Sequence, residues 1–327
     1  MKYGSVPGIA GKVSRLVQGS VMLKPESREE NYGLLDAVYD AGIKSFDSSH
    51  IYGLGGADKV LGAWVRSRGV RGEIVMMDKC CHPMEGQKRV SAKHIAEDLR
   101  TCLDNLGFDT IDILTFHRDD PEVPVAELVE AMNAHIRSGV IKAYGCSNWT
   151  LSRFIEAVAY ARSNALVPFA VSSPHFSLAV SYDPPWAGCL SITGEPGREQ
   201  YEHYLREKTA LFCWSSLSSG FFSGLYLRDN LDKHTEGQPA LVKRCYCRED
   251  NFARLDRVKI LAEEKRRSTS QIALAYVLSS PLNTFPLIAC WRPEEAYDNV
   301  AACDLELSEA EMAWLDSGDA LRRDTRA

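Results

Sequence analysis

The stretch Ser45-Phe46-Asp47-Ser48-Ser49-His50-Ile51-Tyr52-Gly53 decides how the rest of the chain is read. A short apolar run ends on a carboxylate, Asp47, and passes into a small-residue loop carrying a histidine and a tyrosine. The same arrangement recurs twice. Val75-Met76-Met77-Asp78-Lys79 ends on a lysine, and Ile111-Asp112-Ile113-Leu114-Thr115-Phe116-His117 ends on a histidine. Apolar runs without clean alternation suit a parallel sheet covered on both faces by helices.

Working outward, residues 17–22, 44–48, 73–79, 110–117, 141–147, 169–173, 210–215 and 284–290 all read as such strands. Helical-period segments lie between them. Ile95, Leu99, Leu103 and Leu106 form one face of a helix that Gly107 should end in a left-handed turn. Val125, Leu128, Val129, Met132 and Ile136 form a second face, and Leu151, Phe154, Ile155 and Val158 a third behind the N-cap Thr150. Ser308-Glu309-Ala310-Glu311 is a capping box opening a last short helix. Eight strands, each followed by helix, predict a single (β/α)8 TIM barrel over residues 1–327. A doubly wound fold would carry a glycine fingerprint after its first strand. Gly53-Leu54-Gly55-Gly56 follows the second strand and lacks the third glycine. The surplus over about 250 residues falls in 177–196 and 218–250, which read as long loops on the C-terminal rim.

Composition narrows the function. With 38 basic and 44 acidic side chains the chain carries a net charge of −6, which disfavours nucleic acid or an anionic membrane surface as partner. No run approaches a membrane span, and the first residues lack a signal-peptide core, so a cytoplasmic protein is expected. The ten cysteines are scattered without a Cys-x-x-Cys pair, and no metal is expected.

On a barrel, function is read from polar residues at the C-terminal ends of strands. Asp47, Lys79 and His117 end three consecutive strands, and Tyr52 follows Asp47 in the next loop. Together they suit hydride reduction of a carbonyl, which needs an acid for the developing alkoxide. A phenol is too weak at neutral pH unless a cation stabilises its anion. Lys79 supplies that cation, Asp47 fixes it, and His117 hydrogen-bonds the substrate oxygen. The neighbouring rim residues His50, His82, Arg118, Asp119 and Trp186 are candidates for substrate contact, and the polar ones point to a hydroxylated substrate such as a sugar. A metal-dependent isomerase using His82, His117 and Asp119 is a competing reading, though it would want more carboxylates at the rim.

This constellation resembles the aldo-keto reductases. The Asp-x-x-x-x-Tyr-Gly spacing, the helix expected from Gly56 to Gly62, the lysine-bearing third strand and Gly145-Cys146-Ser147-Asn148 carry the resemblance, which runs from about Val17 to Leu315. It implies an oxidoreductase moving hydride between NADP(H) or NAD(H) and a small carbonyl or alcohol. It further implies that Ser147, Asn148 and Ser173 meet the nicotinamide carboxamide, Ser173 standing where the family commonly has a longer glutamine. Trp214 would stack on the nicotinamide ring, Ser215 and Leu217 would meet the pyrophosphate, and Asn299 would read the adenine edge, with Ser20 a further cofactor contact. Family members usually grip the 2′-phosphate of NADP with basic residues just after the eighth strand. Here Arg292 is alone, and Glu295 stands where arginine is frequent, which points to weakened discrimination against NAD(H). The same resemblance includes barrels that accompany potassium channels, so a slow, cofactor-binding redox sensor or scaffold is the alternative. Oligomeric state and reaction direction are not written in these motifs.

Overall fold

The computed structural model describes residues 1–318; the last part of the expected 1–327 span, residues 319–327, lies outside them. Eight parallel strands close into a barrel in chain order: β3 (Val17–Gly19), β4 (Ser45–Asp47), β5 (Val75–Cys80), β6 (Ile111–Phe116), β7 (Ile141–Ser147), β8 (Val171–Ser173), β9 (Ala210–Cys213) and β10 (Asn283–Ile288), with β10 pairing back to β3. All eight predicted strands are present. The two strands preceding them, β1 (Tyr3–Gly4) and β2 (Val13–Ser14), form a small antiparallel hairpin that sequence reading did not find. Its Val6 and Val13 belong to the same apolar cluster as the barrel-lining Val17, Met77, Ile113 and Phe285. Two-residue strands have no period to detect, which is why they escaped.

Helices wrap the barrel where the apolar faces require. The first five are α1 (Arg28–Asp40), α2 (Gly56–Arg68), α3 (Ala92–Leu106), α4 (Val125–Arg137) and α5 (Leu151–Ser163). Gly107 ends α3 at φ 65°, and the Thr150 side chain accepts from Arg153 N–H at the start of α5. Then come α6 (Arg198–Glu207), α7 (Gly237–Tyr246), α8 (Glu249–Lys265), α9 (Thr269–Ser279), α10 (Pro293–Ala301) and α11 (Glu309–Ser317), the last opened by the predicted capping box at Ser308. The 218–250 stretch is more than loop. It contains α7, and Phe221, Phe222 and Tyr246 join Phe252, Leu255 and Leu315 in a separate apolar cluster beside the barrel.

Parallel register puts the strand ends at one level. Asp47 pairs with Met77, Lys79 with Thr115, Phe116 with Cys146, and Ser147 with Ser173. The polar residues that end these strands are therefore gathered at the C-terminal mouth.

Candidate active site

At that mouth Lys79 Nζ donates to Asp47 Oδ1 at 2.6 Å, to the Ser48 carbonyl at 2.8 Å and to Tyr52 Oη at 3.3 Å. Local structure explains the convergence. Ser48 N–H continues the ladder onto Met77 O, and Tyr52 N–H then bonds Ser49 O, a tight turn that folds the phenol back over Lys79. Gly53 and Gly55 continue that turn at φ 56° and 85°. The His117 ring meets the Tyr52 ring edge-on at 6.1 Å and the His82 ring at 4.6 Å, while its Nδ1 lies 3.3 Å from Ser49 Oγ.

The charges follow from this packing. Burial opposes the Lys79 ammonium, but Asp47, Tyr52 and Asp78 outweigh it, so the lysine keeps its proton more firmly than usual. Burial raises the Tyr52 phenol above its ordinary range, with Lys79 pulling the other way. Burial, then Lys79, holds the His117 imidazole well below its usual value, which leaves it neutral at physiological pH. The arrangement is a neutral phenol between a fixed ammonium and a neutral imidazole, on a tyrosine that is only partly buried.

The candidate cofactor residues cluster beside it. Ser147 Oγ donates to Ser173 O at 2.9 Å, and Asn148, at φ 60°, donates to Ser147 Oγ and accepts from Trp214 Nε1 at 3.2 Å. The Ser173 hydroxyl is buried without a partner. It is the unpaired polar group of a corner in which the Asn148 amide also accepts from Leu190 N–H at 3.0 Å. After β9, Ser215, Ser218, Ser219 and Gly220 all have left-handed backbone, and the Ser218 and Gly220 N–H groups close the turn on Ser215 O and Leu217 O. These residues fit a nicotinamide dinucleotide. Leu217 packs on the outer core of the barrel, and Asn299 is buried, donating to Cys290 Sγ at 3.4 Å. Ser20, expected to meet the cofactor, is buried, and its hydroxyl donates to Ser48 Oγ at 2.6 Å.

Glu295, in the first turn of α10, reaches back to the residues that precede the helix. It accepts Trp291 N–H at 2.8 Å and the Arg292 guanidinium at 3.0 Å, so the lone basic residue after β10 already has a carboxylate in its fork.

Two substrate candidates are also corrected. His50 is buried, its Nδ1 3.0 Å from Lys79 O and its Nε2 3.7 Å from Asp98 of α3, which places the ring behind β5 rather than in the mouth. Asp119 is paired with Arg153 of α5 at 3.2 Å. That pairing also draws it away from His82 and His117, the residues it would have to join in the competing isomerase reading. His82 remains beside His117, Arg118 is half-buried against Cys189, and Trp186 is 57% exposed on its loop. Sequence reading missed Ser48 as a carbonyl ligand of the ammonium, and it passed over Asp58 and Asp78, both wholly buried nearby. The signal was present at Asp78: two adjacent charges inside an apolar strand cannot both face water.

A closed parallel barrel with an Asp-Tyr-Lys-His cluster at its C-terminal mouth defines a class of hydride-transferring barrel enzymes. The pattern described as the aldo/keto reductase family matches residues 15–320, and the chain belongs to that family. It is accordingly an oxidoreductase working with NADP(H) or NAD(H). A probable voltage-gated potassium channel subunit beta of Oryza sativa is 28% identical, covering 93% of this chain and 92% of its own length. A putative aryl-alcohol dehydrogenase of Schizosaccharomyces pombe is 26% identical over 96% and 94% of the two chains. The solved structure of a glycerol dehydrogenase from Gluconobacter oxydans has the same fold, with a TM-score of 0.73 at 17% identity and 99% coverage of each chain.

Proposed function

We propose that Tyr52, Lys79, Asp47 and His117 carry out the proton side of carbonyl reduction, and that the substrate is an aldehyde or ketone with an apolar or aromatic body. The observation that carries the first part is the single ammonium shared between Asp47, the Ser48 carbonyl and the Tyr52 hydroxyl. Bound nicotinamide supplies the hydride. Tyr52 Oη donates a proton to the carbonyl oxygen as negative charge builds there, and the fixed Lys79 ammonium stabilises the resulting phenolate. Asp47 holds the ammonium so that it cannot turn away. His117, neutral and with Nδ1 toward Ser49, presents Nε2 to the same oxygen as a hydrogen-bond donor. Ser147, Asn148 and Ser173 would hold the carboxamide, and Trp214 would pack on the ring.

The second part revises the sugar expectation. Two of the four polar side chains on which that expectation rests, His50 and Asp119, are engaged elsewhere. The rim loops instead expose Val21, Leu54, Met84 and Trp186, with Leu54 90% exposed. Buried against a sugar these groups gain little, whereas an aryl body covers them at about 25 cal/mol per Å². The aryl-alcohol name of the fission-yeast relative agrees. Initial rates of NAD(P)H oxidation with benzaldehydes, alkyl aldehydes, ketones and aldoses test it. Aryl aldehydes are expected to exceed every aldose in kcat/KM by about a hundredfold or more, a margin of ~3 kcal/mol. An aldose that matches them would restore the polar reading.

The slow scaffold is the second reading, favoured by the name of the rice relative. It predicts cofactor binding with turnover too slow to consume added carbonyl.

A further inference from the structure

Two carboxylates between β5 and the helices α2 and α3 play no part in the proton transfer described above. Asp58, in the first turn of α2, and Asp78, in β5 beside Lys79, have no solvent exposure. Asp58 Oδ1 accepts from Ser48 Oγ, and Asp78 Oδ1 accepts the Lys79 N–H at 2.7 Å. The other oxygen of Asp58 has no hydrogen-bond partner, and that of Asp78 has at most the weak donor of the Cys102 thiol. Carboxylate oxygens of both residues and the Cys102 sulfur lie within 4.8 Å of one another.

Two ionised carboxylates this close, sealed from water, one with an orphaned acceptor and the other met at best by a weak thiol donor, are doubly penalised: by their repulsion and by lost hydrogen bonds. The nearby cations are committed elsewhere, Lys79 to Asp47 and Arg89 to Asp98. A single proton removes both penalties, since it makes one carboxyl a donor to the other. We infer that Asp58 and Asp78 share one proton and act as positioning residues, fixing Ser48 so that its carbonyl holds the Lys79 ammonium.

Ser48 is the hub of that connection. Its Oγ accepts from Ser20 and donates to Asp58, its N–H bonds Met77 O, and its carbonyl accepts from Lys79 at 2.8 Å. Around the pair stand Asp47 and Lys79 from β4 and β5, His50 from the loop, and Asp98 and Cys102 from α3, with Arg89 on Asp98. Burial is the largest influence on both acids and raises each, and for Asp78 the charge of Asp58 adds to it. At neutral pH the pair keeps one proton. As pH falls a second proton arrives; with the facing oxygens already joined by the first, it goes to Asp58 Oδ1, where it displaces the Ser48 hydroxyl as donor, and the grip on Ser48 slackens. The pair titrates as a unit, and turnover declines with it on the acid side.

Infrared difference spectra of the full chain, wild type against D58N and D78N at neutral pH, read the proton directly. The expected result is the carbonyl stretch of a protonated carboxylic acid in the wild type and its loss in both variants, because the amide introduced by D58N donates to Asp78 and lets it ionise. No such band, or a band lost in D78N but kept in D58N, overturns the shared proton. So does a wild-type band that appears only after a chelator strips a metal ion from the site. The positioning role, which rests on the proposed function, is read from kcat against pH with saturating cofactor. D58A should lower kcat about tenfold with cofactor affinity unchanged. D58N, which can still accept from Ser48, should keep most of the rate and lose the acid limb. A D58A variant as fast as wild type, or a D58N variant with the wild-type acid limb, overturns it. If D58A does not fold, the D58N profile decides. A wild type without turnover would defeat the reading of Tyr52 and Lys79, and the infrared result would still stand on its own.

Discussion

Side-chain direction, more than residue identity, separates the participants from the bystanders at this site. Asp47, Lys79 and His117 were legible because strand ends of a parallel barrel share one level, so a polar residue there has one place to go. His50 and Asp119 lie as near to them in sequence, yet His50 turns behind β5 toward Asp98 and Asp119 turns to Arg153. Loop positions carry no periodicity from which such turns can be read. Glu295 makes the same point with a functional consequence. The sequence showed a carboxylate where arginine is frequent in the family, and the structure shows it closing the Arg292 fork and taking Trp291 N–H. Both are donors of the kind that binds phosphate, and Glu295 competes for them. Glu295→Ala is therefore expected to tighten NADP(H) about tenfold while leaving NAD(H) within about threefold, as read by quenching of tryptophan fluorescence. Equal changes for the two cofactors would show that Arg292 does not face the ribose.

Among the elements, α2 and α3 approach most closely where a glycine allows it. A Cβ built on Gly62 would stand 2.0 Å from the Leu106 carbonyl oxygen. The oxygen is backbone at the end of a helix and cannot swing aside. Gly62→Ala should thus cost about 1–3 kcal/mol, a fall in Tm of several degrees by calorimetry. An unchanged Tm would mean that the two helices are not in contact. Because α2 carries Asp58 and α3 carries Asp98 and Cys102, the same substitution should also lower kcat. The barrel strands were legible because each is a buried apolar run, and the helices because their faces repeat. The β1–β2 hairpin was not legible, being too short for a pattern. Neither was α7, since the Gly, Pro and Ser around it mask a helix that owes its burial to Phe252 and its neighbours in α8.

Taken whole, the molecule separates its structural and chemical ends. Val6 and Val13 of the hairpin region pack into the barrel-lining cluster, and a cavity of about 350 Å³ runs between α5 and α6 past Pro7 and Lys208, without Lys79 in its lining. A smaller one of about 240 Å³ lies between the rim loops against Trp214. No described helix is long and apolar enough to cross a membrane. The fold of a glycerol dehydrogenase and the sequence of a channel subunit are both within reach of this chain, so fold alone does not choose between enzyme and scaffold. The choice rests on whether Tyr52 delivers a proton. The decisive measurement is a stopped-flow comparison of wild type and Tyr52→Phe, each saturated with NADPH and mixed with excess aryl aldehyde. The account predicts repeated turnover in the wild type, and in the variant unchanged NADPH affinity with turnover lower by ~10²-fold or more. A variant keeping more than about a tenth of the wild-type rate would contradict it, as would a wild type that binds NADPH and consumes no aldehyde.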